Sequence, residues 1–460
     1  MAVWSAVSVA ALEYSRIDAE FYRPTYLAEL ESWRRLAETV GVAKLRKIIA
    51  APVRTGRTPA SRNIKGDEDC IRFIKTDTVR EGSIDFNKSA LLPSRVVGVK
   101  DHISDDSIVM TIIGATPEIV GRTAIVRPSD PDCVTNQNVA VICTKKTFDP
   151  YFLTAYFQTK WGRDQVWRHS RRTEQVNLNC REVERILVPN PLKATQEAIG
   201  ILIKDSFASA DRSVHLYQQA QQLLEVELGL DKLKFRKSVN YTVHFSEIEA
   251  SQRLDAEFFH IKYDLFLDVI RNHQNGWTPL SKLTSRTEPN FIAKKHTGDF
   301  DYIEISDVGV SDGSYVCTRI DASDLPANAK IELAGGEILV SQVRPTRGGI
   351  AIADDELENR TVASGAFYVC SVTDIHFREV IWLYLRCMRG VFEKYCGGTS
   401  YPTIESRYIS RFPVPLFSEK LADQIRDLIT ASKGEREKSK ALLEKAKNRV
   451  EKLIEEAVKP

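Results

Sequence analysis

The chain carries nearly the same text twice, and that repeat limits its fold more than any other feature. Arg16-Ile17-Asp18-Ala19-Glu20-Phe21-Tyr22 returns about 237 positions later as Arg253-Leu254-Asp255-Ala256-Glu257-Phe258-Phe259. Further matches follow in the same order. Phe73 to Val79 aligns with Tyr302 to Val308, Ile108 to Thr111 with Ile338 to Ser341, and Leu187-Val188-Pro189 with Pro413-Val414-Pro415. Each half then closes on one long helical segment. Solenoid units run to roughly 20–50 residues, so a period this long implies two copies of a whole domain and two similar surfaces.

With 460 residues, each half has enough chain for its own core. A 43% hydrophobic and 27% charged content is that of an ordinary globular protein. Net charge is only +2, so any site for a polyanion must come from local clustering. The cysteines Cys70, Cys133, Cys143, Cys180, Cys317, Cys370, Cys387 and Cys396 form no CxxC pair, and no histidines fall at HxxxH spacing. This argues against zinc and for scattered thiols in a reducing cytosol. Ala2 to Leu12 lacks a basic leader, and no run approaches about 18 apolar residues. A soluble cytoplasmic protein, without a membrane partner, is expected.

Along the chain, Ile17 to about Val40 reads as a helix, with Asp18 near its N-cap and Pro24 in a tolerated early position. From Ile71 to Ile142, short runs of Val, Ile and Thr alternate with turn signals, the pattern of a strand-rich segment. Asp149-Pro150-Tyr151 opens a helical stretch to Trp167, and Pro189-Asn190-Pro191 breaks any helix. In Ala194 to Gly229, Ile203, Ala210, Tyr217 and Leu224 recur every seven residues, while Phe207, Val214, Gln221 and Leu228 take positions four later. The spacing predicts a heptad seam ended by Gly229, in a helix about 50 Å long. Leu421 to Ala457 fills the matching place, with Leu442, Val450 and Leu453 among its apolar positions and a polar middle from Lys433 to Lys440. Neither stripe can be buried alone. The two helices pairing as a coiled coil is one solution, and two amphipathic helices each on its own domain is the other.

Enzymatic signals are scarce. No GxxxxGK[ST] loop occurs, no GxGxxG follows a strand, and no nucleophile elbow is present. Asp149-Pro150-Tyr151 faintly resembles the pocket motif of amino-methyltransferases, but a helix N-terminus explains it better. A binding protein without catalytic residues is expected.

Two stretches suit a polyanion. Arg54, Arg57, Thr58, Arg62 and Lys65 lie in a loop rich in glycine and threonine, which fits phosphate or base-edge contacts and equally fits a solvated surface. In Trp167 to Asn177, Arg168, Arg171, Arg172, Gln175 and Asn177 crowd together with no opposing acidic run. Arg can read guanine bidentately, and Gln or Asn can read adenine; a plain charged surface is the alternative. The matching place in the second half is Gly397 to Thr403, with Thr399, Ser400 and Tyr401, and its basic companions are Lys294, Lys295, Arg344 and Arg347. A shared frame with differing loops is what two readers of different sequences require.

Taken together, the paired Arg-[Ile/Leu]-Asp-Ala-Glu-Phe segments, the Gly56-Arg57-Thr58-Pro59 loop, the Gly397–Thr403 loop running to Pro413-Val414-Pro415, and a long helix after each Val-Pro segment resemble the specificity (S) subunit of type I restriction–modification systems. The resemblance spans essentially the whole chain. It implies a mixed α/β (α+β) fold with a pseudo-twofold internal repeat: two target-recognition domains, each reading half of a split, asymmetric site on double-stranded DNA. A pair of long antiparallel coiled-coil helices separates them. On this division, residues 1–190 form the first recognition domain, with its N-terminal helix at 17–40, and 191–240 the central spacer helix. Residues 241–416 form the second recognition domain and 417–460 the C-terminal spacer helix. Ile203, Phe207, Tyr217, Leu224, Leu228, Leu442, Val450 and Leu453 would make the coiled-coil and subunit interface. Two modification (methyltransferase) subunits would dock there and carry S-adenosylmethionine, and restriction subunits would bring ATP and Mg. The chain itself would bind no cofactor and no metal. Rivals to this reading are a degenerate DNA methyltransferase and a repeat-containing scaffold that binds proteins.

Overall fold

The computed structural model describes residues 4–9, 12, 13, 16–60, 69–116, 118–172, 175–233, 240–398 and 401–459. The chain forms two compact units, Met1–Ala210 with Arg436–Pro460, and Asp211–Glu435. Among the described residues no helix is long and apolar enough to cross a membrane.

In the first unit, the expected N-terminal helix starts later than the sequence suggests. A 3-10 turn, Ala19–Tyr22, comes first with Asp18 as its N-cap, and the α-helix Pro24–Thr39 follows with proline in its first turn. A four-stranded sheet runs in the order Arg54–Thr55, Val139–Ile142, Ile108–Thr111, Thr123–Ile125. A second sheet has Cys70–Ile74 at its centre, antiparallel to Ala90–Pro93 and parallel to Cys133–Thr135. Val42–Lys44 pairs with Leu187–Pro189. Asp149 caps the helix Pro150–Gln158 by accepting from the Tyr151 and Phe152 amides at 2.8 and 2.9 Å. Tyr151 through Phe157 are all buried, as an all-round apolar helix requires.

The second unit repeats this plan and adds one strand, Ala329–Leu333, antiparallel to Thr361–Ser364. Its four-stranded sheet runs Thr284–Thr287, Phe367–Val372, Ile338–Ser341, Ile350–Ile352. Asp299–Ile303 is antiparallel to Thr318–Asp321 and parallel to Thr361–Ser364. Trp277–Pro279 pairs with Pro413–Pro415. The matched sequence segments thus occupy matched strands, and the fold is mixed α+β with an internal repeat.

Two long helices, α1 (Lys193–Glu227, 35 residues) and α2 (Glu419–Val458, 40 residues), each begin in one unit and end in the other. The division therefore falls inside the helices instead of giving them domains of their own, because each half-helix buries its stripe in one unit's core. Ile199, Leu202 and Ile203 join Ala446, Val450 and Ile454 in the first core, with Phe207, Leu442 and Leu453 packed against it. Ala220, Leu224 and Leu228 join Leu421, Ala422, Ile425 and Ile429 in the second, with Tyr217 at its edge.

The two helices pair in antiparallel fashion within both units, but the seam differs from the heptad reading in one row. Val214, expected inside, is 56% exposed. Leu228 of the expected row is buried and Phe207 packs against the first core, but the seam also runs through Ile199, Ser206, Ser213 and Ala220, three residues after the Ile203 series instead of four. Serine fits there because its hydroxyl crosses to the facing backbone. Ser206 Oγ donates to the Ser439 carbonyl at 2.8 Å in the first unit, and Ser213 Oγ to the Ser432 carbonyl at 2.7 Å in the second. Ser432 Oγ returns the bond to the Ser213 carbonyl at 2.8 Å. Ser439 in the polar middle of α2, and Ser432 just before it, thus place small hydroxyl residues on the seam, each hydrogen-bonded across it.

Candidate nucleic-acid interface

The repeated Arg-[Ile/Leu]-Asp segment does the same job in each unit. Arg16, 1% exposed, forks onto Asp18 through Nε at 2.7 Å and Nη2 at 3.1 Å. It also donates to the carbonyls of His169 at 2.6 Å and Ser170 at 3.3 Å, and lies over the Phe21 ring. These carbonyls belong to the C-terminal end of the helix Lys160–His169, where backbone acceptors lack partners within the helix. In the second unit Arg253 forks onto Asp255 at 2.6 and 2.7 Å, donates to the carbonyls of Tyr395 and Cys396 at 3.3 and 2.8 Å, and lies over Phe258. Each guanidinium holds its carboxyl below the ordinary carboxylate range.

What the two arginines anchor is the base of a small hairpin. In the first unit Arg171–Arg172 pairs with Val176–Asn177, which pairs in turn with Ile113–Gly114. In the second, Gly397 bridges Thr403, and Thr403 bridges Val343. The arginine-rich and hydroxyl-rich loops are therefore the same structural position.

On the first hairpin, Arg171 is exposed at the surface and its Nε donates to Glu182 Oε1 at 2.8 Å. Gln175 and Asn177 are exposed, and Arg172 holds a strand position. Arg168 is placed otherwise than the sequence suggests. It is buried on the helix, its guanidinium 4.6 Å from the Phe21 ring centroid, because the Arg16 cluster draws this helix end inward. We expect Arg171→Ala to weaken binding to every duplex sequence and to lower the salt slope of log K by about 1. Arg168→Ala should leave that slope unchanged and lower thermal stability instead. Fluorescence anisotropy across a salt series separates the two; an unaltered slope with a methylated motif changed in one half only makes Arg171 a base reader, and no effect on either quantity makes that side chain ordinary surface.

His169 lies behind the hairpin, packed edge-on to Phe21. Burial, reinforced by Arg168 and Arg16, pushes its pKa down to about 3. The folded state thus refuses a proton that the unfolded chain accepts near pH 6.5. Stability from the neutral imidazole is present above that pH and is lost as pH falls from about 6.5 toward 3, amounting to about 2 kcal/mol between pH 7 and pH 5. His169→Phe should shrink the pH 7-to-5 loss in urea denaturation by that amount; equal losses in both proteins would count against it.

In the second unit Arg344 adopts a left-handed backbone, φ 49°, and its amide donates to the Pro402 carbonyl at 2.7 Å. Its guanidinium sits 4.4 Å from the ring centroid of Tyr401, which is exposed. Arg347 closes the same turn by donating to the Arg344 carbonyl at 3.0 Å. Arg344, Arg347 and Tyr401 thus come together. Thr399 and Ser400 lie outside the described residues. Behind the turn, Arg386 donates to the carbonyls of Gly348, Ile350 and Val310 at 3.2, 2.9 and 3.0 Å, and to Tyr217 Oη of α1 at 2.7 Å. Tyr217 therefore braces this loop as well as the helix.

The remaining candidates stand on other elements. Arg54 is half-buried and donates to the His102 carbonyl at 2.7 Å. Arg57 is exposed and meets Asp101 at 2.8 Å, and Thr58 Oγ1 donates to Gln137 at 2.6 Å. Arg62 and Lys65 lie outside the described residues. Lys294 and Lys295 are exposed on a 3-10 turn beside His296, whose ring stacks on Phe291 at 4.7 Å. A groove of about 490 Å³ in the first unit gathers Arg80, Arg122, Arg163 and Trp167 with Glu81 and Glu118, and Arg163 pairs with Glu81. Sequence reasoning missed the first three, because isolated charges from distant segments leave no local pattern.

No family model matches the sequence. The chain is similar to the StySPI specificity subunit of a type I restriction enzyme from Salmonella potsdam, 20% identical over 158 residues. The match covers 34% of this chain and 34% of that one, so the chain spans about a third of the length of the curated relative it matches. Among solved structures, the type I restriction–modification S subunit from M. genitalium aligns over 91% of this chain and 96% of its own, at 12% identity and TM-score 0.45. The HsdS subunit from Thermoanaerobacter tengcongensis aligns over 90% and 96%, at 14% identity and TM-score 0.30.

Proposed function

We propose that this chain is the DNA sequence-specificity subunit of a type I restriction–modification complex. Each unit reads one half of a bipartite, asymmetric site in double-stranded DNA, and the chain performs no chemistry itself. Two modification subunits, docked along α1 and α2, would supply S-adenosylmethionine, flip an adenine in each half and methylate it. Restriction subunits, where present, would bring ATP and Mg. The complex would act in the cytoplasm.

One observation carries this reading: a single frame is built twice, with chemically different side chains at the same hairpin. Arg171, Gln175 and Asn177 stand where the second unit has Gly397, Tyr401 and Thr403, with Arg344 over Tyr401. Equal frames with unequal loops give two different readouts, since base contacts specify sequence while the scaffold positions them. Joining two weak readers in one chain raises the affinity of the pair through effective concentration.

Methylome sequencing of a host that expresses the chain with its modification subunit tests this. The expected motif has two unlike halves separated by unspecified bases. Replacing residues 171–177 with a hairpin of different sequence should change one half only. A continuous or palindromic motif, or changes in both halves, would overturn the assignment.

A further inference from the structure

The second unit holds a cavity that neither its hairpin nor its core uses. It measures about 750 Å³ and lies between the loop that carries Lys294 and the segment following the strand Thr318–Asp321. Small-molecule sites occupy roughly 300–1,000 Å³ and combine an apolar lining with a few convergent polar groups. Here Ala322, Leu325 and Ala329 give a buried apolar floor. Lys294 and Lys330 line the cavity and are exposed, and among the described residues neither ammonium group has an ion-pair or hydrogen-bond partner. His296 is held in the wall. Its ring lies parallel to Phe291, and its Nδ1 accepts from Arg360 at 3.1 Å, which leaves the ring proton on Nε2. The one lining carboxylate, Asp321, already accepts from the Ser323 amide and hydroxyl at 2.9 and 2.7 Å. The two lysines are therefore the uncompensated charge of the cavity.

The first unit treats the same place differently. Its Ser94 amide donates to the Asp69 carbonyl at 2.8 Å, as the Ala322 amide does to Gly298 at 2.9 Å, so the two segments share one register. Across the first segment lies Arg57, donating to the Val96 carbonyl at 3.3 Å and to Asp101 at 2.8 Å. In the second unit the corresponding segment, 322–330, borders the cavity instead.

We propose that this cavity binds one nucleotide, with its base on Leu325 and Ala329 and its phosphate between Lys294 and Lys330. A flat ring gains from an apolar floor whichever base it is. A phosphate meets the two unpaired ammonium groups, which a purely apolar ligand would leave idle. Nε2 of His296 and the carboxylate of Asp321 offer a donor and an acceptor to the base edge. The nucleotide has two sources: free in solution, or unstacked from a bound duplex within the half that the second unit reads. The second source alone rests on the proposed function.

The test uses the full chain with its modification subunit. In one arm the four deoxynucleoside 5′-monophosphates are titrated in, and amide exchange is followed across 292–298 and 321–330. Slowed exchange there marks the free source, with nucleosides lacking the phosphate bound about tenfold more weakly. In the other arm, duplexes bearing the methylated motif carry 2-aminopurine at one position of the second half at a time. Brightening at a position other than the methylated adenine marks the strand as the source, because an unstacked base fluoresces more strongly. At least one arm should respond. Ala327→Trp, an exposed lining position filled by a large ring, should abolish that response without moving thermal unfolding or the brightening at the methylated adenine. Silence in both arms overturns the inference, and so does a response that Ala327→Trp leaves unchanged. A complex that binds no duplex removes the proposed function, and the mononucleotide arm then decides the cavity by itself.

Discussion

Removing residues 207–213 from α1 together with 432–438 from α2 should shorten the gap between the two halves of the methylated motif by about three base pairs. The pairing dictates that matched deletion. Ser206 meets Ser439 and Ser213 meets Ser432, so the cut removes one serine contact from both helices and leaves the other in register. Seven residues span about 10.5 Å of helix, close to three steps of about 3.4 Å along a duplex. A heptad returns a helix to within about 20° of its former face, so the seam reforms. The duplex, at about 10–10.5 base pairs per turn, rotates by roughly 100° over the same distance. Affinity should therefore fall at least tenfold even where the shorter motif is used. Deleting residues 207–213 alone leaves the serines of α2 facing the wrong neighbours, and methylation should disappear. Methylome sequencing reads all three results. An unchanged gap after the matched deletion would show that the helices do not set the spacing of the halves.

Much of the scaffold was legible because repeated apolar patterns survive in sequence. Phe73-Ile74 and Tyr302-Ile303 fall on matching central strands, and Ile108 to Thr111 and Ile338 to Ser341 on matching sheet positions. Asp149 and Gly229 mark helix ends as their chemistry requires, the first by side-chain capping and the second with φ 67°. The serine seam was not legible, because Ser206 and Ser213 count as surface residues until a facing carbonyl is known. The loops were hardest. Arg168 and Arg171 are three residues apart and alike on paper, yet Arg16 and Phe21, some 150 positions away, bury one and leave the other at the surface. Gly56 stands in a loop rich in glycine and threonine, where the sequence gives it no particular contact. In the fold a Cβ there would lie 1.8 Å from the Thr135 carbonyl oxygen, so its role is close backbone packing.

Arg386→Met should be the most damaging single substitution in the second unit, lowering its unfolding free energy by about 3–4 kcal/mol. Arg386 is 1% exposed, and its four hydrogen bonds run to three backbone carbonyls and one phenol. Its guanidinium also lies beside Trp382 and Tyr217. Methionine fills most of the volume but donates nothing. Ile350 keeps a bond from Trp382 Nε1 at 3.2 Å and Gly348 one from the Ile350 amide at 2.8 Å, whereas the Val310 carbonyl loses the Arg386 bond. Each buried acceptor left unpaired costs about 1–3 kcal/mol. Tyr217→Phe removes only the phenol partner and should cost about 1–2 kcal/mol, leaving the three carbonyl bonds in place. The functional consequence should follow the same ranking. Val310 and Gly348 flank the turn that carries Arg344 and Arg347, so Arg386→Met should raise amide exchange across 344–350 and blur the half of the methylated motif read by the second unit. The first half should stay sharp, since the first unit has its own anchor in Arg16. Urea denaturation, amide exchange and methylome sequencing give three readouts. A variant that loses stability while both halves stay sharp would show that Arg386 supports the core alone and that the Arg344 turn holds its shape without it.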